Sequence, residues 1–386
     1  MRIVHISSSA PYNEKWGYQE NLLPKYQAKL GHDVTLIITN RKHSGGMIVE
    51  TGEDDYRCTD GVRVIRRRWK QYPSKILTNI CSHIPVIDLL KEIRPDFIFF
   101  HGLVSTTILE VVEYKKKWNR DCVIVQDNHL DYNIARSSDD VKGKMIRAFY
   151  RMIVRRPIGE VARVYGVTPW RQKFAQDYFR IPAEKTDVLI MGADDEKIDL
   201  KHRQEIREDI RSQYRINPGE FLIVTGGKID EAKKIHLLMA AVNRMENTRL
   251  IVFGNVNEGM RQQIQKLKSQ KIDLIGWIAA EKAYDYFLAA DLICFPGQHS
   301  VLWEQACAAK VPCVFSCWEG MEHVNNGGNS AFLDEISTDG IRAKLEGLRF
   351  TDDYYRMKEA AESEKTDIYL YSNIARKSLE MAENTK

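Results

Sequence analysis

Short apolar runs alternating with longer stretches of helical spacing constrain this chain most. In the first half the runs are RIVHIS, VTLIIT, DFIFFHG, CVIVQD, VYGVT and VLIMG; in the second they are FLIVTGG, RLIVFGN, IDLIGW, LICFPG and PCVFS. A short run that is apolar throughout suits a strand buried on both faces, and the helical stretches supply the crossovers that parallel strands require. The alternation lapses across Asp194–Asn217, a charged helical segment that ends at a Pro218-Gly219 turn before the next strand. The pattern predicts two doubly wound, Rossmann-like α/β domains, at residues 1–195 and 196–365, with a final helix over 366–386 crossing back to the first. Ligands of such sheets bind beyond the carboxyl ends of the strands, so the residues after each run are where chemistry is expected.

Composition narrows the class. Of 386 residues, 44% are hydrophobic and 28% charged, as in an ordinary globular protein. No window approaches the roughly 18 apolar residues of a spanning helix, and MRIVHISSSAPYNEKWG reads as a first strand rather than a signal peptide. A net charge of +4 is too small to point to nucleic acid. Seven cysteines with no C-x-x-C pair fit reduced thiols in a cytoplasmic protein.

Three strand ends in the second half carry chemistry. FLIVTGGKIDEAKKIHLL ends a strand in Gly226-Gly227, with Lys228 next and Lys233-Lys234 before an apolar helix. Glycines admit a phosphate close to the backbone and lysines supply point charge; a tight turn with solvated lysines has the same pattern. RLIVFGNVNEG is weaker by itself. In LICFPGQHSVLWEQACAAKVPCVFS, Ser300 is placed to cap a helix from Val301 to about Ala309, whose free N–H groups and dipole would favour a diphosphate. Glu304 lies one turn inside that helix. Buried, its carboxylate needs a partner, for which ribose hydroxyls would serve; on an exposed face it needs none.

In this order and spacing the three segments resemble the C-terminal domain of the family 4 glycosyltransferases, retaining enzymes of the GT-B fold, in which two Rossmann-like domains face each other across a cleft. GGKIDEAKKIHLL is similar to the family's G-R-L-x-x-x-K-G element, with Lys228 at the arginine position and Lys233 at the lysine position. The resemblance implies that both contact the donor diphosphate, that the Gly276-Trp277-Ile278 turn lies beside the base, and that Glu304, matching the second glutamate of E-x7-E, holds the ribose. The first glutamate is replaced by Pro296 and the following Gly-Leu by His299-Ser300, so recognition of the transferred sugar must differ, with His299 or Gln298 as substitutes. WEGMEHVNNGGN matches the family's G-G-x-x-E segment poorly. In the first half, Gly17 remains of a Gly-Gly pair, DFIFFHG ends in His101, and CVIVQDNH ends in His129, where the family places a histidine next to the reacting sugar. The Asn of the family's N-G-x-D segment is Met191 here.

The resemblance implies departure of a nucleoside diphosphate, with Lys228, Lys233 and the helix start at Ser300–Leu302 stabilising the charge on the β-phosphate. Catalytic roles fall to Lys228, Lys233 and His129, and donor contacts to Gly17, Gly227, Ile278, His299, Ser300, Val301 and Glu304. A lone histidine at a strand end such as His129 is more often structural. No cofactor or metal is expected. UDP is favoured as the family's commonest donor nucleotide, and the acceptor is a glycan or a lipid-linked intermediate of bacterial surface polysaccharide. Basic segments Val64–Lys70, Tyr114–Arg120 and Lys142–Pro157 invite peripheral contact with an anionic membrane at its cytoplasmic face. A nicotinamide enzyme is excluded by SSSAPYNEKWGYQ, which lacks G-x-G-x-x-G after the first strand. The acidic pairs Asp139-Asp140, Asp194-Asp195 and Asp352-Asp353 are not Asp-x-Asp metal motifs. A non-catalytic binding module and a sugar-nucleotide epimerase of the same fold remain as alternatives.

Overall fold

The computed structural model describes residues 1–14, 16–132 and 140–383; Asp139 of the first acidic pair lies outside them. The chain forms two compact units, Met1–Ile190 with Ile374–Lys386, and Met191–Asn373. The sequence places the junction at 195/196, and the units divide at Ile190/Met191.

In the first unit the strands are β1 (Arg2–Ser7), β2 (Asp33–Thr39), β3 (Arg41–Ser44), β4 (Met47–Glu50), β5 (Asp54–Arg57), β6 (Arg63–Arg67), β7 (Phe97–Phe100), β8 (Val123–Asn128), β9 (Arg163–Gly166) and β10 (Thr186–Val188). Eight of them form one sheet in the order β10-β9-β8-β7-β1-β2-β6-β5, parallel except for β5 against β6; β3 and β4 make a separate hairpin. Five of the six predicted runs lie in this sheet; the sixth, VLIMG, enters it only at Val188, the last residue of β10. β3 to β6 were not predicted, because RKHS, MIVE, DDYR and RVIRR mix charge with apolar residues as edge and antiparallel strands do. The reversal of strand order between β1 and β7 puts the ends of β1, β7 and β8 at a topological switch point.

The second unit is one parallel sheet, β13-β12-β11-β14-β15-β16, from β11 (Phe221–Gly226), β12 (Thr248–Phe253), β13 (Ile272–Gly276), β14 (Leu292–Phe295), β15 (Cys313–Ser316) and β16 (Ser330–Leu333). Its order reverses between β11 and β14, the two strands whose ends carry the phosphate-like loop and the glutamate helix. Residues of β11 and β14 are fully buried, as runs covered on both faces should be. The charged segment after the junction becomes the helix Arg203–Gln213, held by Asp291, which accepts from Arg207 at 2.6 Å and from the backbone N–H of Leu222 at 2.7 Å. All seven cysteines are free thiols, and Cys122, Cys294, Cys307 and Cys313 are buried as small hydrophobes. No helix among the described residues is long and apolar enough to cross a membrane.

Candidate functional site

In the second unit the loops after β11 and β14 are locked together. Lys233 donates through Nζ to the carbonyls of Gln298 (2.7 Å) and His299 (3.0 Å), and Gln298 N–H donates to the Ala232 carbonyl (3.0 Å). Gly297 has no room for a side chain, since a Cβ would lie 2.3 Å from the Lys233 carbonyl carbon. Gly227 (φ +104°) would meet Leu302 with a Cβ at 3.1 Å, so the glycine loop abuts the start of the next helix. Lys228 instead reaches outward, 67% exposed, with its ammonium 3.4 Å from Asp230. Lys228 and Lys233 therefore differ in kind: one is a solvated cation, the other a tie between loops. Ile278 is half-buried beyond the end of β13, next to the 70% exposed Trp277.

The helix over this loop is Leu302–Ala308, shorter than predicted, and its N-cap is Val301 with no side-chain cap. Ser300 contributes its backbone carbonyl, which accepts from Trp303 N–H at 2.9 Å, rather than the predicted hydroxyl cap. Trp303 stacks on Phe315 at 4.6 Å, turning this face of the helix inward. That rotation buries Glu304 completely, and the protein supplies its partners: Nε2 of His299 and Nε2 of His323 each lie 2.8 Å from Oε1. Facing a carboxylate, both nitrogens carry hydrogen and donate. The second oxygen, Oε2, is buried without a hydrogen-bond partner within the protein. Burial raises the carboxyl group's pKa, yet the two imidazoles outweigh it and hold the value at about 2. The three donor atoms lie within 4.8 Å of one another, a set that also matches two-histidine, one-carboxylate metal ligation. Both imidazoles, however, share one oxygen at hydrogen-bond distance.

Because Glu304 is more acidic folded than its ordinary 4.5, its contribution to stability is complete above about pH 4.5 and is lost as pH falls toward 2. Thermal unfolding followed from pH 6 to pH 3 should fall more steeply for the wild type than for Glu304→Gln; parallel curves would show that the carboxylate is not held by its histidines.

In the first unit the switch point holds a second cluster. His101, after β7, places Nδ1 2.9 Å from Asp127 Oδ2 and Nε2 3.0 Å from His5 Nδ1. His129, after β8, lies 3.4 Å from the same Asp127 oxygen, with its side chain 40% exposed. His101 and His129 line a cavity of about 280 Å3 with Ser7, Ser9, Glu20 and Gly102. Gly17 lies in the loop between β1 and the helix Gln19–Lys29, with open space around it.

Two family models account for most of the chain. Residues 22–197 match "Glycosyltransferase Family 4" and residues 206–348 match "Glycosyl transferases group 1". The chain belongs to the family 4 glycosyltransferases of GT-B fold. It is similar to the processive diacylglycerol alpha-glucosyltransferase of Acholeplasma laidlawii, 24% identical over 228 residues, 55% of this chain. The match spans 65% of that relative's own length. Among solved structures it is similar to sucrose-phosphate synthase from Thermosynechococcus elongatus (TM-score 0.70, 14% identity, 99% and 98% of the two chains). It is also similar to HepE of Anabaena in complex with UDP and glucose (TM-score 0.65, 14% identity, 100% of both chains).

Within this glycosyltransferase chain the structure brings Gly227, Lys233, His299, Ser300, Val301 and Glu304 together, and His129 with Asp127 and His101. Sequence reasoning missed His323, His5 and the role of Asp127. His323 sits in WEGMEHVNNGGN, where the family pattern fades, and only its position opposite an orphan buried glutamate would have signalled it.

Proposed function

We propose that this protein is a retaining glycosyltransferase that takes a hexose from a UDP-sugar. The observation that carries the proposal is the packing of the Gly226-Gly227 loop, Lys233 and the Gln298-His299 loop against the helix of Glu304, at the switch point of the second sheet. There Lys228 is the mobile cation for a diphosphate, the half-buried Ile278 flanks the base, and the orphan Oε2 of Glu304 is the acceptor for ribose hydroxyls. In the first unit, the cavity lined by His129, His101 and Glu20 is suited to the sugar and acceptor. As the β-phosphate leaves, negative charge grows on it, and the two lysines stabilise that charge. UDP is supported by the UDP complex of the Anabaena protein. The reading requires no metal. Incubation with a panel of UDP-sugars should release UDP, with the rate kept in EDTA; no release with any sugar would leave a non-catalytic binding module.

The acceptor side of the proposal is a lipid-linked or surface-glycan intermediate reached at the cytoplasmic face of a membrane. The Acholeplasma relative, by its name, acts on diacylglycerol. In the helix Val141–Arg155, Phe149 and Ile153 pack into the core, and Arg151 lies over Tyr178 at 4.4 Å. Val141, Met145 and Met152 stay exposed at 75%, 68% and 50%, and these carry the membrane reading. Of the other basic segments, Arg66 is buried against Glu14, and Lys117 pairs with Glu113. The protein should co-sediment with anionic vesicles at low salt and be released at high salt. Met145→Glu with Met152→Glu should weaken this by roughly tenfold or more. Binding indifferent to lipid charge would contradict the proposal.

A further inference from the structure

A continuous hydrogen-bonded chain runs behind His129, from the C-terminal helix Tyr371–Glu383 through the core of the first unit. The Ser378 hydroxyl donates to the Ala375 carbonyl (2.6 Å), so its oxygen accepts from the side-chain amide of Gln27 (2.8 Å). That fixes the amide with its carbonyl toward His5, whose Nε2, 2.7 Å away, must supply the hydrogen. Burial pushes the pKa of His5 down to about 3, so the ring is neutral and its Nδ1 bare. His101 Nε2 lies 3.0 Å from that nitrogen, and His101 Nδ1 lies 2.9 Å from the Asp127 carboxylate, so both ring nitrogens of His101 are held in hydrogen bonds. Asp127 is completely buried, with its Oδ1 accepting from Gly102 N–H, and it is shared between His101 and His129.

We infer that Asp127, and His101 through it, are positioning residues for His129. Asp127 turns Nε2 of His129 inward and leaves Nδ1 for a sugar hydroxyl, while His101 engages the same carboxylate oxygen and takes up part of its pull on the His129 proton. Burial lowers the basicity of His129, Asp127 and Glu20 raise it, and Arg171 opposes them, with a net upward shift. The carboxyl of Asp127 is opposed by burial but held far below the usual range by His129 and His101. The consequence for catalysis rests on the proposed placing of His129 beside the transferred sugar; the order of contacts along the chain does not.

Two substitutions separate this arrangement from a merely structural one, because they should move His129 in opposite directions. Asp127→Asn removes the anion and should lower the His129 titration midpoint by about one unit or more, whereas His101→Gln removes the imidazole that competes for the same carboxylate oxygen and should raise it. The probe is nitrogen-15 NMR of the histidine rings in the full-length protein, with no sugar needed. In the wild type, His129 should titrate above an ordinary histidine, and His5 should be a neutral ring with hydrogen on Nε2. A wild-type His129 midpoint at or below the ordinary value, or one that stays put or moves the same way in both variants, overturns the inference. The wild-type spectrum decides even if neither variant folds. With UDP-sugar as substrate, kcat of Asp127→Asn should fall with its pH profile displaced toward acid while KM for the donor holds. Absence of any turnover in the wild type would count against the transferase reading and leave the NMR result standing.

Discussion

Glu304→Ala lowers the stability of the second unit by about 3–5 kcal/mol, as expected for a buried carboxylate whose removal leaves two donors facing each other without an acceptor. The imidazoles of His299 and His323 are 6% exposed at their side chains, so water cannot readily take the place of Oε1. Glu304→Gln is the sharper variant for function. It keeps the volume and one acceptor oxygen, so the fold should hold, but it gives up the charge-assisted bond to ribose, worth about 1.5–3 kcal/mol. UDP affinity should fall by roughly 10- to 100-fold. Chemical denaturation and UDP titration of both variants check the two halves. A stable Glu304→Ala protein with wild-type UDP affinity would show that the carboxylate neither holds its loop nor meets a nucleotide.

Lys233→Ala should cost more than Lys228→Ala, in both stability and turnover. Removing Lys233 strips hydrogen bonds from the carbonyls of Gln298 and His299 and frees the loop that carries His299 to Glu304. The loss should be about 1–3 kcal/mol of stability and at least about a hundredfold in kcat. Lys228 is 67% exposed and paired only loosely, so Lys228→Ala should leave the melting temperature in place. Its effect should appear as weaker UDP binding with uridine binding unchanged, because only the diphosphate meets its charge. Equal effects of the two substitutions on stability would contradict the distinction between tie and cation.

The fold was legible wherever strands are buried on both faces. β11, β14 and β15 read as apolar runs because every position on them is buried. Edge and antiparallel strands such as β5 and β6 escaped notice because Asp54, Asp55, Arg63 and Arg67 there answer to solvent and to one another. β16, SAFL, is too short to stand out from the glycine-rich segment before it. Of the candidate site, the neighbours that spacing along one loop conveys are Gly227 and Lys233, which pack against Leu302 and the Gln298-His299 loop. What spacing cannot convey is pairing across the sheet. Glu304 was seen to need a partner, but the partners are a histidine five residues earlier and another nineteen residues later, joined only by the turn of a short helix and the β15–β16 connection. The same holds for His5, His101, Asp127 and His129, which parallel neighbours β1, β7 and β8 bring to one end of the sheet.

The central claim is that the second unit binds a nucleoside diphosphate through its glycine loop, its lysines and Glu304. Calorimetric titration of the wild-type protein with UDP, UMP and uridine tests it most directly. Affinity should rise by roughly tenfold or more from uridine to UDP, since each added phosphate meets a charge-assisted partner, and the difference between UDP and uridine should shrink in Lys228→Ala. Uridine and UDP binding equally well, or neither binding, would contradict the account.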